Sequence, residues 1–226
     1  MVTIEQLRQI PLPAKTDTYI PVAHGDFTDA ILEYAYKKNY NLRHMNFDAN
    51  TGGQIMRGTF AFISDDPAMD FQVGIVNSYN KRKVAMVGVG TQVFICQNGM
   101  ISADFTLKRK HTGSVIQDLN SMIEGSMEQL YDEFVRNIQV REALSNIELT
   151  KIQYAEIIGK MYLNEEVITP NQLAVVKQEY KESVLFPEPT AWSMYNHVNQ
   201  ALKKGHPADY IDSHVNLHKF MITEFN

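Results

Sequence analysis

A basic triplet and a basic tetrad stand out for the chemistry they could do: Lys81-Arg82-Lys83, with Tyr79 just before it, and Lys108-Arg109-Lys110-His111, with Phe105 nearby. Cations that track phosphates beside aromatics that stack bases are the ingredients of single-strand nucleic-acid binding. Asn77-Ser-Tyr-Asn80 precedes the first cluster, and its short polar side chains could bond a phosphate or ribose, although a hairpin loop needs the same residues. Asn77, Tyr79, Lys81, Arg82, Lys83, Lys108, Arg109, Lys110 and His111 are therefore the candidate nucleic-acid-binding residues. Both clusters fall at predicted strand ends, where charge also discourages edge-to-edge aggregation.

Other pairings are weaker. His214 and His218 share a helix face at i and i+4, a spacing metal sites use, but Val215 occupies the place of the zinc-protease glutamate and apolar Ile211, Val215 and Ile222 lie near that face. Packing is the expected role, and no metal or other cofactor is expected. Cys96 with His111 as base would make a nucleophile, but the thiol lies in an apolar run where burial raises its pKa. Gly88-Val-Gly90 lacks the third glycine and the following helix of a dinucleotide site. His24 and Asp26 could pair, but Asp26 reads more simply as the N-cap of the first helix. No catalytic residue is assigned; a non-catalytic role is favoured, and an enzyme whose site is assembled from residues scattered along the chain stays open.

The elements that must position these residues follow from periodicity. Thr18–Val22 reads as a short edge strand leading into an amphipathic helix over 26–38, with Phe27, Ile31, Tyr34 and Ala35 at helical spacing. From Tyr40 to about Lys110 the period falls to 2, with turn signals at Asp48–Gly53 and Asn98-Gly99, which predicts an antiparallel meander of about five strands. After Thr112 the pattern is helical. Ile116, Leu119, Ile123, Met127, Leu130, Phe134 and Ile138 form a stripe long enough to lie across the whole sheet. Thr169-Pro-Asn-Gln172 and Thr190 read as helix starts, and Lys203-Lys-Gly-His-Pro207 as a helix end. The fold class is α+β: an N-terminal strand and helix, a meander of about five strands, a long helix across the sheet and a C-terminal helical part, four or five helices in all after Thr112. Residues 1–112 form the sheet region and 113–226 the helical region, expected to pack as one compact domain.

Length and charge bound the rest. The 226 residues, 44% hydrophobic and 21% charged, suit a globular chain with a substantial core and exclude disordered, collagen-like and disulfide-scaffold classes. A lone cysteine fits a reducing cytoplasm, the N-terminus shows no signal-peptide core, and no apolar run nears the ~18 residues of a membrane span. The net charge of −5 conceals a division: residues 1–112 hold 12 Lys/Arg against 10 Asp/Glu, and residues 113–226 hold 9 against 16. The sheet region is mildly basic and the helical region acidic.

Four segments in order resemble the phage- and plasmid-encoded proteins of domain of unknown function 932. Asn77-Ser-Tyr-Asn80 resembles that family's Asn-Ser-His/Tyr-Asp/Asn segment, and Val93-Phe-Ile-Cys-Gln-Asn98 its Val-Cys-x-Asn strand and turn. His111-Thr112 is similar to its His-Thr pair, and Thr190-Ala-Trp-Ser-Met-Tyr-Asn196 to its late Trp-containing helix. The likeness spans about residues 19–200. It departs at Lys81, where glycine is common, and at Gly99, where threonine is frequent. The resemblance implies a mobile-element origin and the host cytoplasm, and it implies no reaction. The leading expectation is a phage protein that binds or anneals single strands in replication or recombination. The alternative is a protein-binding module whose acidic helices inhibit a host defence system or enzyme. Self-association through the long apolar stripe is a further expectation.

Overall fold

The computed structural model describes residues 2–93 and 96–225, the side chains of 102–105 excepted. Its elements are α1 (Ile4–Arg8), α2 (His24–Lys37), β1 (Leu42–Ala49), β2 (Ile55–Phe62), β3 (Met69–Ser78), β4 (Ala85–Val93) and β5 (Asn98–Arg109), followed by α3 (Val115–Ser145), α4 (Lys151–Leu163), α5 (Pro170–Glu182), α6 (Ala191–Leu202), a 3-10 turn over Pro207–Asp209 and α7 (Tyr210–Phe225). The α+β class is the one expected, with five helices after Thr112.

The strands lie in the order β1-β2-β3-β4-β5, each antiparallel to its neighbour. Short turns permit only this pairing between successive strands. At the β1–β2 turn Gly52 and Gly53 take φ of 84° and 69°, left-handed values that penalise a Cβ, and Gly53 N–H closes the loop on Asn50 O at 2.8 Å. Phe60 and Phe62 of β2, Phe71, Val73 and Ile75 of β3 and Val87 and Val89 of β4 join one buried cluster with α2 and α3. From α3 come Leu119, Ile123, Met127, Leu130 and Phe134, and Phe134 packs its ring 4.4 Å from that of Phe71. Each such buried side chain contributes about 1.5–3 kcal/mol of burial free energy, so α3 is held by its stripe rather than by propensity. On the opposite face Val76, Met86 and Ile101 meet Tyr210 and Ile211 of α7. Gly88 permits that approach, since a Cβ there would sit 2.9 Å from Ile101 Cγ2 and 3.4 Å from Ile211 Cγ2.

Helix α6 covers the edge strand β5. Asn199 Nδ2 donates to the β5 carbonyl Gly99 O at 2.7 Å, and Asn98 Nδ2 of β5 donates in return to the helix carbonyl Asn196 O at 3.1 Å, so side-chain amides tie helix and strand together. The helix starts follow their sequence signals: Thr169 with Gln172 forms a complete capping box with Pro170 at the first helical position, and Thr190 Oγ1 accepts from Ser193 N–H.

Several expectations are corrected. Thr18–Val22 forms no strand. It is a turn closed by a Thr16–Tyr19 bridge, because Pro21 has no N–H and Ile20 N–H is spent on His111 O at 2.8 Å. Helix α2 begins at His24 with Ala23 as its N-cap, so Asp26 sits in the first turn and does not cap. Ile116 is 55% exposed, and Val115 takes the inward place at the start of the long helix. Helix α1, with a Thr3–Gln6 capping box, was not anticipated.

Candidate nucleic-acid interface

Register decides where the two basic clusters meet. Ala85 pairs with Arg109 and Met86 with Lys108, so the β3–β4 loop and the segment after β5 emerge side by side at one end of the sheet. Asn80 shapes the first loop: its Oδ1 accepts from Ser78 Oγ at 2.9 Å and from Arg82 N–H at 3.1 Å, an Asx-type turn that pushes the basic triplet outward. Lys81 takes φ of 63° there and lays its Nζ 4.7 Å from the centre of the Tyr19 ring. That ring lies 5.5 Å from the ring of His111. Tyr19 thus joins the two clusters.

Acids from the helical region join them a second time. Asp212 of α7 receives Lys108 Nζ at 2.8 Å and Lys83 Nζ at 3.4 Å, while Asp209 takes Lys83 at 3.0 Å. Arg109 is held by Asp118 of α3 at 2.7 Å and by Thr112 O at 3.2 Å. Burial alone would raise the Asp212 carboxyl, but the two lysines hold it below its ordinary value. Lys81, Arg82 and Lys110 remain exposed to solvent. Three of the clustered cations are thereby neutralised and three project from the surface.

Asn77 and Tyr79 are elsewhere than at the surface. Asn77 is fully buried, its Nδ2 within 2.8 Å of Val22 O and 3.0 Å of His24 Nδ1, and its Oδ1 accepts from Ser78 N–H at 2.9 Å. Tyr79 is 4% exposed; its ring stacks on that of His24 at 3.9 Å and 4°, and its hydroxyl accepts from His24 N–H at 2.8 Å. The expected stacking surface is therefore absent at Tyr79, because an aromatic beside a buried imidazole gains more by covering it than by facing water. His24 Nε2 must be protonated to donate to Gly53 O at 3.0 Å, which leaves Nδ1 to accept from Asn77. Burial drives the His24 pKa down to about 4. His111 is also buried, and burial lowers its pKa against a partial offset from the Ile20 backbone. Both are parts of the scaffold beneath the cations. Phe105, expected near the second cluster, has a side chain outside the described residues.

The domain of unknown function family model (DUF932) matches residues 64–221, more than half of the chain. The chain belongs to this family. No curated protein and no solved structure matches it. The matched stretch opens just before β3, so α2, β1 and β2, which the resemblance at residue 19 would have included, lie outside it, and it extends through most of α7.

Within the DUF932 stretch the four resembling segments come together as two pairs at opposite ends of β5. Asn77–Asn80 and His111 meet through Tyr19 and His24 at the basic end. At the other end Asn98 Nδ2 donates to Asn196 Oδ1 at 2.9 Å, and Cys96 Sγ lies 3.9 Å from the same oxygen. The 12 residues of β5 stand between Cys96 and His111, so the thiol–imidazole pair is ruled out by distance along the strand. Burial also pushes the Cys96 thiol up, away from the nucleophilic thiolate. Phe94 and Ile95 lie outside the described residues.

His214 and His218 turn to different partners: His214 Nδ1 donates to Gly99 O at 3.1 Å, and His218 Nδ1 lies 3.0 Å from the Tyr195 hydroxyl. Among the described residues no group of three or more His, Cys, Asp or Glu is placed to hold a metal, and no helix is long and apolar enough to cross a membrane. Sequence reasoning missed Tyr19, Asp118, Asp209 and Asp212, which tie the clusters together. Asp209 and Asp212 bracket the start of α7 at i and i+3, but nothing local pairs them with lysines more than a hundred residues earlier.

Proposed function

We propose that this DUF932 protein handles nucleic acid without catalysis, holding the phosphates of a single strand at the basic end of the sheet during replication or recombination of a phage or plasmid in its host cytoplasm. The observation that supports this reading is the convergence of the two basic loops: Lys83 and Lys108 share Asp212, and Lys81 and His111 share Tyr19, which leaves Lys81, Arg82 and Lys110 exposed on one rim. With Tyr79 buried, the described residues of the rim offer charge and no base platform, so affinity is expected to depend on salt and little on base sequence.

Fluorescence anisotropy with a labelled oligonucleotide, titrated across salt, tests the proposal. Each phosphate contact to a single strand contributes about 0.7 to the slope of log affinity against log salt. The triple variant Lys81→Gln, Arg82→Gln, Lys110→Gln is expected to flatten that slope by about 2. Absence of binding at the lowest salt, or a triple variant with an unchanged slope, overturns the reading.

A further inference from the structure

Arg57 pairs with Val76 across β2 and β3, so its side chain stands on the sheet face that meets α7, away from the large core. There it lines a pocket of about 120 Å³, whose walls also include Asn46 and Asp48 of β1, Thr59 of β2, and Lys203 where α6 ends. The Arg57 side chain is 14% exposed, and its guanidinium carbon lies 4.8 Å from the centre of the Tyr210 ring, another wall group. Its hydrogen bonds all leave from one nitrogen: Nη2 donates to Asp48 Oδ2 at 2.9 Å and to Lys203 O at 3.5 Å. Nε and Nη1 have no partner among the described residues, and neither is sealed from solvent. They are donors in reach of a ligand.

A second cation stands beside the first. The Lys203 ammonium, half-buried, donates to the Cys96 carbonyl, which uses one of its three protons. Burial holds that ammonium below its ordinary value, with Cys96 opposing the effect and the charge of Arg57 adding to it. Among the described residues of the lining, Asp48 is the one carboxylate set against these two cations. A positive charge withdrawn from water without a full counter-charge is destabilising. Asn46 Nδ2 donates to Gln97 Oε1 at 3.3 Å, which leaves the Gln97 amide nitrogen as a further donor at the exposed edge.

We infer that this pocket binds a phosphate-sized oxyanion, either free or as the terminal phosphoryl group of a larger molecule. Charge-assisted bonds from Arg57 and Lys203 would carry the binding, with the planar guanidinium suited to two oxygens of one tetrahedral centre. At ~30 Å³ per water the pocket holds about four waters, room for the four oxygens of such an anion. A phosphoryl ester would leave its carrier outside, beside Gln97. The inference stands apart from the nucleic-acid reading, since Lys81, Arg82 and Lys110 line no part of this pocket.

Isothermal titration of the full chain with inorganic phosphate and, separately, with methyl phosphate tests it. Inorganic phosphate is expected to bind with a dissociation constant below about 1 mM. Binding of phosphate alone assigns a free anion, and binding of methyl phosphate as well assigns a terminal phosphoryl group. Acetate, with one charge and two oxygens, is expected to bind at least about tenfold more weakly. Lys203→Met should weaken phosphate about tenfold, whereas Asp48→Asn, which removes the opposing carboxylate, should strengthen it about threefold. A gain of affinity cannot come from a variant that fails to fold. The triple variant at the basic rim should leave phosphate binding unchanged. Failure of both phosphates to bind, equal binding of acetate, unaltered affinity in Lys203→Met or Asp48→Asn, or loss of phosphate binding in the rim variant overturns the inference.

Discussion

The two ends of β5 differ in how far their buried polar side chains are satisfied. At the basic end His24, Asn77 and Tyr79 bond one another and the backbone of Val22, Gly53 and Ser78. The charge there is carried by loops outside that network. At the other end Asn98 Oδ1, Asn199 Oδ1, Gln200 Oε1 and His214 Nε2 are buried without a hydrogen-bond partner, whereas at the basic end the unpartnered atoms are the two ring nitrogens of His111. The His24, Asn77 and Tyr79 network is satisfied internally, whereas an unpaired buried acceptor costs stability that only a ligand or water returns.

Substituting one amide in each region gives the largest contrast. Asn77→Leu strips partners from His24 Nδ1, Val22 O and Ser78 N–H inside the protein, and is expected to cost about 4 kcal/mol. Gln200→Met removes a buried acceptor that already lacks a partner together with the cost of leaving it open, and is expected to raise stability by about 1 kcal/mol. Urea denaturation reads both as shifts in midpoint at constant slope. Similar losses in the two variants would erase the distinction between the two ends.

Acid separates the regions next. His24 is buried and neutral with its pKa lowered to about 4, and His214 is buried with its pKa lowered to about 3 by burial, the charge of Arg57 and, more weakly, Lys203, against the Gly99 bond. In the unfolded chain both take up a proton near pH 6.5. Between that value and the folded pKa the unfolded state binds more protons, so this stability is fully present above pH 6.5 and is lost as pH falls. For His24 the loss runs from 6.5 to about 4 and amounts to about 3 kcal/mol. For His214 it continues to about 3. Chemical denaturation across this range should show His24→Gln flattening the slope above pH 4 while the steepness between 4 and 3 persists. A wild-type protein equally stable at pH 4.5 and 7 would show that neither imidazole is held neutral.

How far each region could be read from sequence follows the same division. The meander, the long helix and the starts of α5 and α6 carry local signals, since period-2 runs, the apolar stripe and the Thr169 and Thr190 caps lie within a few residues of what they specify. The basic loops were legible because their charge is contiguous. Their neutralisation was not, because Lys83 and Lys108 meet Asp209 and Asp212 only once α7 has crossed the sheet. Tyr79 misled for the same reason: the partner that buries it, His24, is 55 residues upstream. The pocket beside Arg57 had no sequence signature, since Asp48, Arg57 and Lys203 converge only through β1, β2 and the end of α6.

The smallest effect on stability is expected at Lys81, where it sharpens what the basic rim is for. Lys81 holds a left-handed φ of 63° that costs an L side chain about 1 kcal/mol and a glycine almost nothing. Against that, its ammonium over Tyr19 contributes about 0.5 kcal/mol at an exposed site, and glycine loses more backbone entropy on folding. The terms nearly cancel, so Lys81→Gly should shift the denaturation midpoint by no more than about 0.5 kcal/mol in either direction. Oligonucleotide affinity should nevertheless fall, with the salt slope reduced by about 0.7. That outcome would mean that Lys81 acts through its charge and not through the fold. If Lys81→Gly instead destabilises the fold by more than about 1 kcal/mol and leaves the salt slope intact, the lysine serves to cover Tyr19, and the basic end becomes scaffold to its outermost layer.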